Sequence, residues 1–159
     1  MFSNLTPFTQ FHVALSLIGI FTGLIVAFGM LAAKRLGGLT AIFLVTTVLT
    51  SVTGFFFPFH GVTPGIRVGI ISLVVLAVAI FARYTRHLKG AWRLLYVITA
   101  MIALYLNVFV LIAQLFQKVP ALKTLAPTQT EPPFLVAQLV AFVLFIVITI
   151  GARIRFRTA

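Results

Sequence analysis

Residues 69–82 read GIISLVVLAVAIFA, a run with no charge and one hydroxyl, Ser72. Such a segment has two homes, the centre of a large soluble domain or the interior of a bilayer. A chain of 159 residues cannot offer the first, because four more runs of this kind compete for the same core. With 62% hydrophobic and 8% charged residues, there is too little polar surface to wrap them in water. The runs cover about 11–33, 39–58, 66–83, 92–116 and 134–152. At ~1.5 Å rise per residue, helices of ~18–25 residues reach roughly 27–37 Å, which matches a hydrocarbon core of about 30 Å with some tilt. Lipid cannot satisfy backbone N–H and C=O groups, so each span has to be a helix. The expected fold is one all-α transmembrane domain over 1–159, a five-transmembrane-helix bundle.

The separators carry the orientation. Lys34, Arg35, Arg83, Arg86, Lys89, Arg93, Arg153, Arg155 and Arg157 fall on one side of the membrane; only Arg67, Lys118 and Lys123 fall on the other. Nine against three predicts a cytoplasmic C-terminus and an outside N-terminus. The net charge of +11 is then a topology signal that also meets anionic headgroups on the cytoplasmic side, and no nucleic-acid partner is expected. Residues 1–10 hold no basic residue ahead of the first run, so no cleavable signal is expected. All seven prolines lie on the outer side, four of them in the connection 117–133, which reads as an outer cap. Small residues at Gly19, Gly23 and Ala27, and again at Gly65, Gly69 and Ser72, give faces for close helix packing within the chain or in a homo-oligomer.

Polar groups are penalised in hydrocarbon, so those kept inside the spans are informative. Tyr96, Ala103, Asn107, Gln114 and Lys118 share one face of span four, and the amides of Asn107 and Gln114 should point into protein or a wet cavity. In span two Thr40, Thr47, Thr50 and Gly54 form a stripe, and Thr53 lies near its outer end. His12, His60 and Gln138 fall at similar outer depth. The expected site is therefore an outward-facing polar cluster of His12, Thr53, His60, Asn107, Gln114, Lys118, Glu131 and Gln138, for a ligand, a partner or interhelical packing. Glu131, the only carboxylate side chain, precedes Pro132-Pro133-Phe134. There it can favour the start of span five through the helix dipole, pair with Lys118 or Lys123, or act as a lone acid beside the histidines.

Several chemistries are disfavoured by what the residues lack. One acid cannot provide paired carboxylates or a divalent-metal cage, and without cysteine there is no thiolate nucleophile or metal site. Haem b would need two facing histidines, and His60 follows Pro58 in a turn while His87 lies on the opposite side. No metal is expected, and no cofactor is specified. The runs YLNVFVLIAQLFQKVPALKTLAPTQTEPPF, SVTGFFFPF and GIISLVVLAVAIFARY resemble a group of short, uncharacterised bacterial inner-membrane proteins. That resemblance implies a multi-pass protein of the bacterial inner membrane and supplies no activity. The expected function is a non-enzymatic accessory or scaffold subunit with an outward polar site for a membrane protein partner or small ligand. An oligomeric small-molecule or ion transporter or channel is the alternative, and a membrane redox or lipid-substrate enzyme comes third.

Overall fold

The computed structural model describes residues 6–34, 36–56 and 64–156. Among them every regular element is a helix: α1 (Pro7–Leu31), α2 (Gly37–Gly54), α3 (Pro64–Ile80), α4 (Ala91–Lys118), α5 (Pro120–Leu125) and α6 (Pro132–Arg155). Five of these, all but α5, are long and apolar enough to cross a membrane, α3 together with the turn that follows it. Each expected span therefore coincides with a helix, shifted by a few residues at its ends for local reasons. Thr6 caps α1 by accepting from the Thr9 amide, and Pro7 occupies the first turn where a missing N–H costs nothing. That helix stops at Leu31 because Ala33 turns left-handed (φ 59°) and Lys34 N–H reaches back to Gly29 O. Gly90 opens α4, and Pro132 and Pro133 open α6.

Neighbours in the chain run antiparallel, so two ends can be distinguished. The basic end collects Lys34, Arg83, Arg86, Lys89, Arg93, Arg153 and Arg155. The cap end collects α5, Glu131 and the starts of α1, α3 and α6. Central to the bundle is α4, which packs against α1, α2, α3, α5 and α6. Its buried face (Tyr96, Val97, Ala100, Met101, Ala103, Leu104, Asn107) meets Val26, Ala27 and Met30 of α1 and Phe43 and Leu44 of α2. By contrast α6 buries little beyond Phe134, Gln138, Ala141, Phe145 and Ala152, and shows apolar side chains on its other faces, as a helix at the lipid boundary does.

The small-residue face of α1 is where the helices close on each other. A Cβ on Gly23 would stand 2.6 Å from Leu104 Cδ1 and 2.8 Å from Phe43 Cδ1, both in fully buried side chains. In α3, Gly69 leaves room for the Phe55 ring at the end of α2, and Ser72 is buried. The motifs thus serve packing within the chain, in a medium where apolar surface alone gives no drive for association. Gly23→Val is expected to lower stability by ~1–3 kcal/mol through overpacking. Gly37→Ala, where a Cβ meets nothing within 4 Å, should stay within ~0.5 kcal/mol of the native protein in the same detergent unfolding assay.

Candidate functional site: a polar seam along the central helix

Interhelical hydrogen bonds tie the cap-end half of α1 to its neighbours. His12 Nδ1 and Thr53 Oγ1 lie 2.7 Å apart, joining the first turns of α1 to the last turn of α2. One turn deeper, Ser16 donates to Asn107 Oδ1 at 2.9 Å, joining α1 to α4. His12, Ser16 and Gly19 follow one another at steps of four and three, so they share the α1 face turned towards these partners. At Gly19 the missing side chain lets the polar groups approach. An added Cβ would lie 3.0 Å from Thr47 Oγ1, 3.2 Å from Thr46 Oγ1 and 3.4 Å from Asn107 Nδ2.

Asn107 is 8% exposed, and the Ser16 bond fixes its carboxamide by the oxygen. Its Nδ2 is buried with no hydrogen-bond partner among the described residues. The two hydroxyls beside it are already committed as donors within α2: Thr46 to Ile42 O and Thr47 to Phe43 O. Their oxygens stand with the amide nitrogen around the Gly19 position, so one held N–H donor and two hydroxyls that can still accept lie close together. Thr50, Ser51 and Thr53 also bond carbonyls within α2, which accounts for most of the hydroxyl stripe as self-satisfied packing.

The expected cluster divides instead of converging. Gln138 is buried, but its Nε2 donates at 3.2 Å to the Phe109 carbonyl, and its Oε1 lacks a partner among the described residues. Phe109 lies about 200° round α4 from Asn107, so this contact belongs to the α4–α6 seam. Gln114 is exposed, contrary to the expectation that it would face the interior. The helical face was right and its cover was not. Seven residues beyond Asn107, about 10 Å along the axis, α4 reaches the level where α2 stops at Gly54 and α1 starts. Lys118 is exposed too. His60 lies outside the described residues.

Glu131 is also placed differently. No lysine is paired with it among the described residues, and its side chain does not cap α6, although its backbone holds the N-cap position. Instead the carboxylate accepts from the Thr128 hydroxyl, the Thr128 amide at 3.1 Å and the Thr130 amide at 3.2 Å, closing the 128–131 turn on itself. Gln129, left-handed at φ 62°, then donates to Ala113 O at 2.7 Å and pins that turn to α4. Beneath it Phe116, Ala126 and Phe134 form a small apolar cluster with Leu122, so the cap rests on α4 and α6 and not over the His12–Asn107 niche.

Two groups at the basic end gave no functional signal in the sequence. Five residues after α3, Phe81–Thr85, form a π turn closed by Arg86 N–H to Phe81 O. The wider turn swings Arg83 inward until it is 9% exposed, its guanidinium 5.2 Å from the Tyr96 ring centre and 6.0 Å from that of Tyr84. Tyr96 is fully buried, its hydroxyl beside Thr40 and Arg83. Periodicity put Tyr96 on the buried face; nothing in a basic cluster announces that one member turns inward.

Comparison with family models, with curated proteins and with solved structures finds no match for this chain. Function is therefore read from geometry. Among the described residues no three metal-ligating side chains of the His, Cys, Asp and Glu type come together.

The Glu131 turn has a pH signature. Hydrogen bonds from Thr128, its hydroxyl first, hold the carboxyl below its ordinary range. A depressed folded value means the turn is fully held above the ordinary carboxylate range and released as pH falls through that lower value. The Thr128 and Thr130 amide signals in NMR should shift together on acidification, and Glu131→Gln should abolish that transition while leaving the transmembrane helices folded.

Proposed function

We propose that this chain is a multi-pass protein of the bacterial inner membrane, with its N-terminus outside and C-terminus in the cytoplasm. It serves there as a non-enzymatic accessory or scaffold subunit, and the α1–α2–α4 niche recognises a small hydrogen-bond-accepting ligand. One observation carries the ligand reading: the Asn107 carboxamide is held by its oxygen while its N–H₂ donor stays buried and unmatched. A buried orphan donor costs about 1–3 kcal/mol, more than the ~0.6 kcal/mol average of an interhelical hydrogen bond in lipid. The Ser16 bond sets the register of α1 on α4, but net stability gives no reason to keep an asparagine there in place of leucine. An acceptor on a ligand would remove the penalty, and Thr46 and Thr47 could accept from any donor beside it.

Transport through a single bundle is the weaker reading, because the layer towards the basic end is filled by Phe43, Met101, Leu104, Val26 and Met30. The threonines buried beside that layer, Thr22 and Thr99, bond carbonyls of their own helices, and a Cβ on Gly23 would already meet two of the layer's members. A small-molecule path would have to part it.

Asn107→Leu separates recognition from packing. The recognition reading predicts unchanged or raised thermal stability in ligand-free detergent, together with loss of the small-molecule adduct seen by native mass spectrometry of protein taken from its own membrane. A drop of ~0.6–2 kcal/mol with no change in bound small molecules would mean that Asn107 is packing glue.

A further inference from the structure

We propose that the connection between α3 and α4 is a binding site for the phosphate of an anionic lipid headgroup. A cleft of about 560 Å³ opens there, lined by Thr85, Arg86, His87, Lys89, Gly90 and Trp92. Its shape follows from the turn that makes it. Leu88 is buried, its N–H bonded to Ala82 O at 3.0 Å, and both His87 and Leu88 take left-handed backbone (φ 54° and 59°). With Leu88 drawn inward as a plug, its neighbours His87 and Lys89 are both exposed. Gly90 follows at φ 57°, a conformation that favours glycine, and a Cβ there would meet nothing within 4 Å. The floor of the cleft is therefore backbone with open space above it.

The charged head at this site is held in place. The Arg86 guanidinium lies 5.3 Å from the Trp92 ring centre, and Trp92 packs edge-on against Phe81 at 5.2 Å. Stacking on the indole leaves the edge of the guanidinium for a second partner, and a planar fork suits phosphate oxygens better than a point charge does. Lys89 adds a second cation and Thr85 a hydroxyl. No acidic side chain competes there, since the only one, Glu131, lies at the cap end.

Phe81 and Tyr84, both more than 40% exposed, flank the cleft and continue the apolar face of Ile70, Ile71 and Val74 along α3. An aromatic rim between apolar helix and basic turn marks the interface depth at which headgroups sit, and a freely soluble anion makes no use of it. This is a defined site, distinct from the general attraction of a basic end to an anionic surface, and it does not depend on the niche around Asn107.

Trp92 is the only tryptophan, so its emission reports on this cleft directly. Titrating phosphatidylglycerol into the full-length protein in neutral detergent should give a saturable change in Trp92 fluorescence. The pair Arg86→Gln and Lys89→Gln should weaken that response about tenfold or more, whereas Arg153→Gln and Arg155→Gln, two charges removed at the same end, should change it by less than about twofold. Equal loss in both double variants would reduce the effect to diffuse surface charge and overturn the proposal. So would the same saturable change from inorganic phosphate at matched ionic strength, which would assign the cleft to a soluble anion. An absent or non-saturating response in the native protein would overturn it as well.

Discussion

A carboxamide placed in hydrocarbon has to find its partners inside the protein, and the arrangement of this bundle follows from where Asn107 finds one. Its oxygen meets Ser16 across the α1–α4 contact. That pairing needs α1 pressed close to both α2 and α4, which is possible because Gly19 and Gly23 present no side chains there. The same approach brings His12 to Thr53 one turn further out. Small residues and polar residues on α1 are thus two parts of one device: the glycines set the distance, and the hydrogen bonds set register and rotation.

The two ends of the bundle solve different problems. At the cap end the lone carboxylate is spent on a local turn, whose Gln129 is tied to α4 while Phe116 and Phe134 pack edge-on beneath it at 5.4 Å. At the basic end a π turn sorts the cations, sending Arg83 inward to Tyr96 and leaving Arg86 outward over Trp92. A burial cost for Arg83 is moderated by aromatic faces, since the sequence has no acidic side chain at that end to offer. Between the ends the core is mainly apolar, with Thr22 and Thr99 bonded to carbonyls of their own helices. It separates the niche from the basic end and makes them independent sites.

Much of this was legible in the residues. Hydrocarbon thickness fixes span length, so five uninterrupted apolar runs translate into five helices with little ambiguity. Helical spacing correctly turned Tyr96, Ala103 and Asn107 inward, and depth correctly brought His12 to the level of Thr53. What spacing could not give is the neighbour. Gln114 lies on the same face as Asn107 but beyond the helices that would cover it. Gln138 was expected in a common cluster and serves a different seam of α4. Ser16 is not legible in the sequence because a lone serine in an apolar helix has no periodic signature, nor is the inward turn of Arg83, because one inserted residue in a turn changes direction without changing composition. The cap's position over α4 and α6 depends on the contact of Phe116 with Phe134, a tertiary fact. Orientation in the membrane stays a matter of charge counting, nine basic residues against three.

The claim on which the rest stands is that the amide at position 107 is enclosed by α1 and α2 while the one at 114 is not. The chain contains no cysteine, so Asn107→Cys and Gln114→Cys each introduce a single reactive probe. In membranes, a lipid-permeant maleimide bearing a bulky substituent should label residue 114 readily and leave residue 107, whose niche admits nothing that large, unmodified until the protein is unfolded. Labelling of residue 107 in the folded protein at a rate matching residue 114 would contradict the account, because Ser16, Thr47 and Gly19 could not then be closed around it.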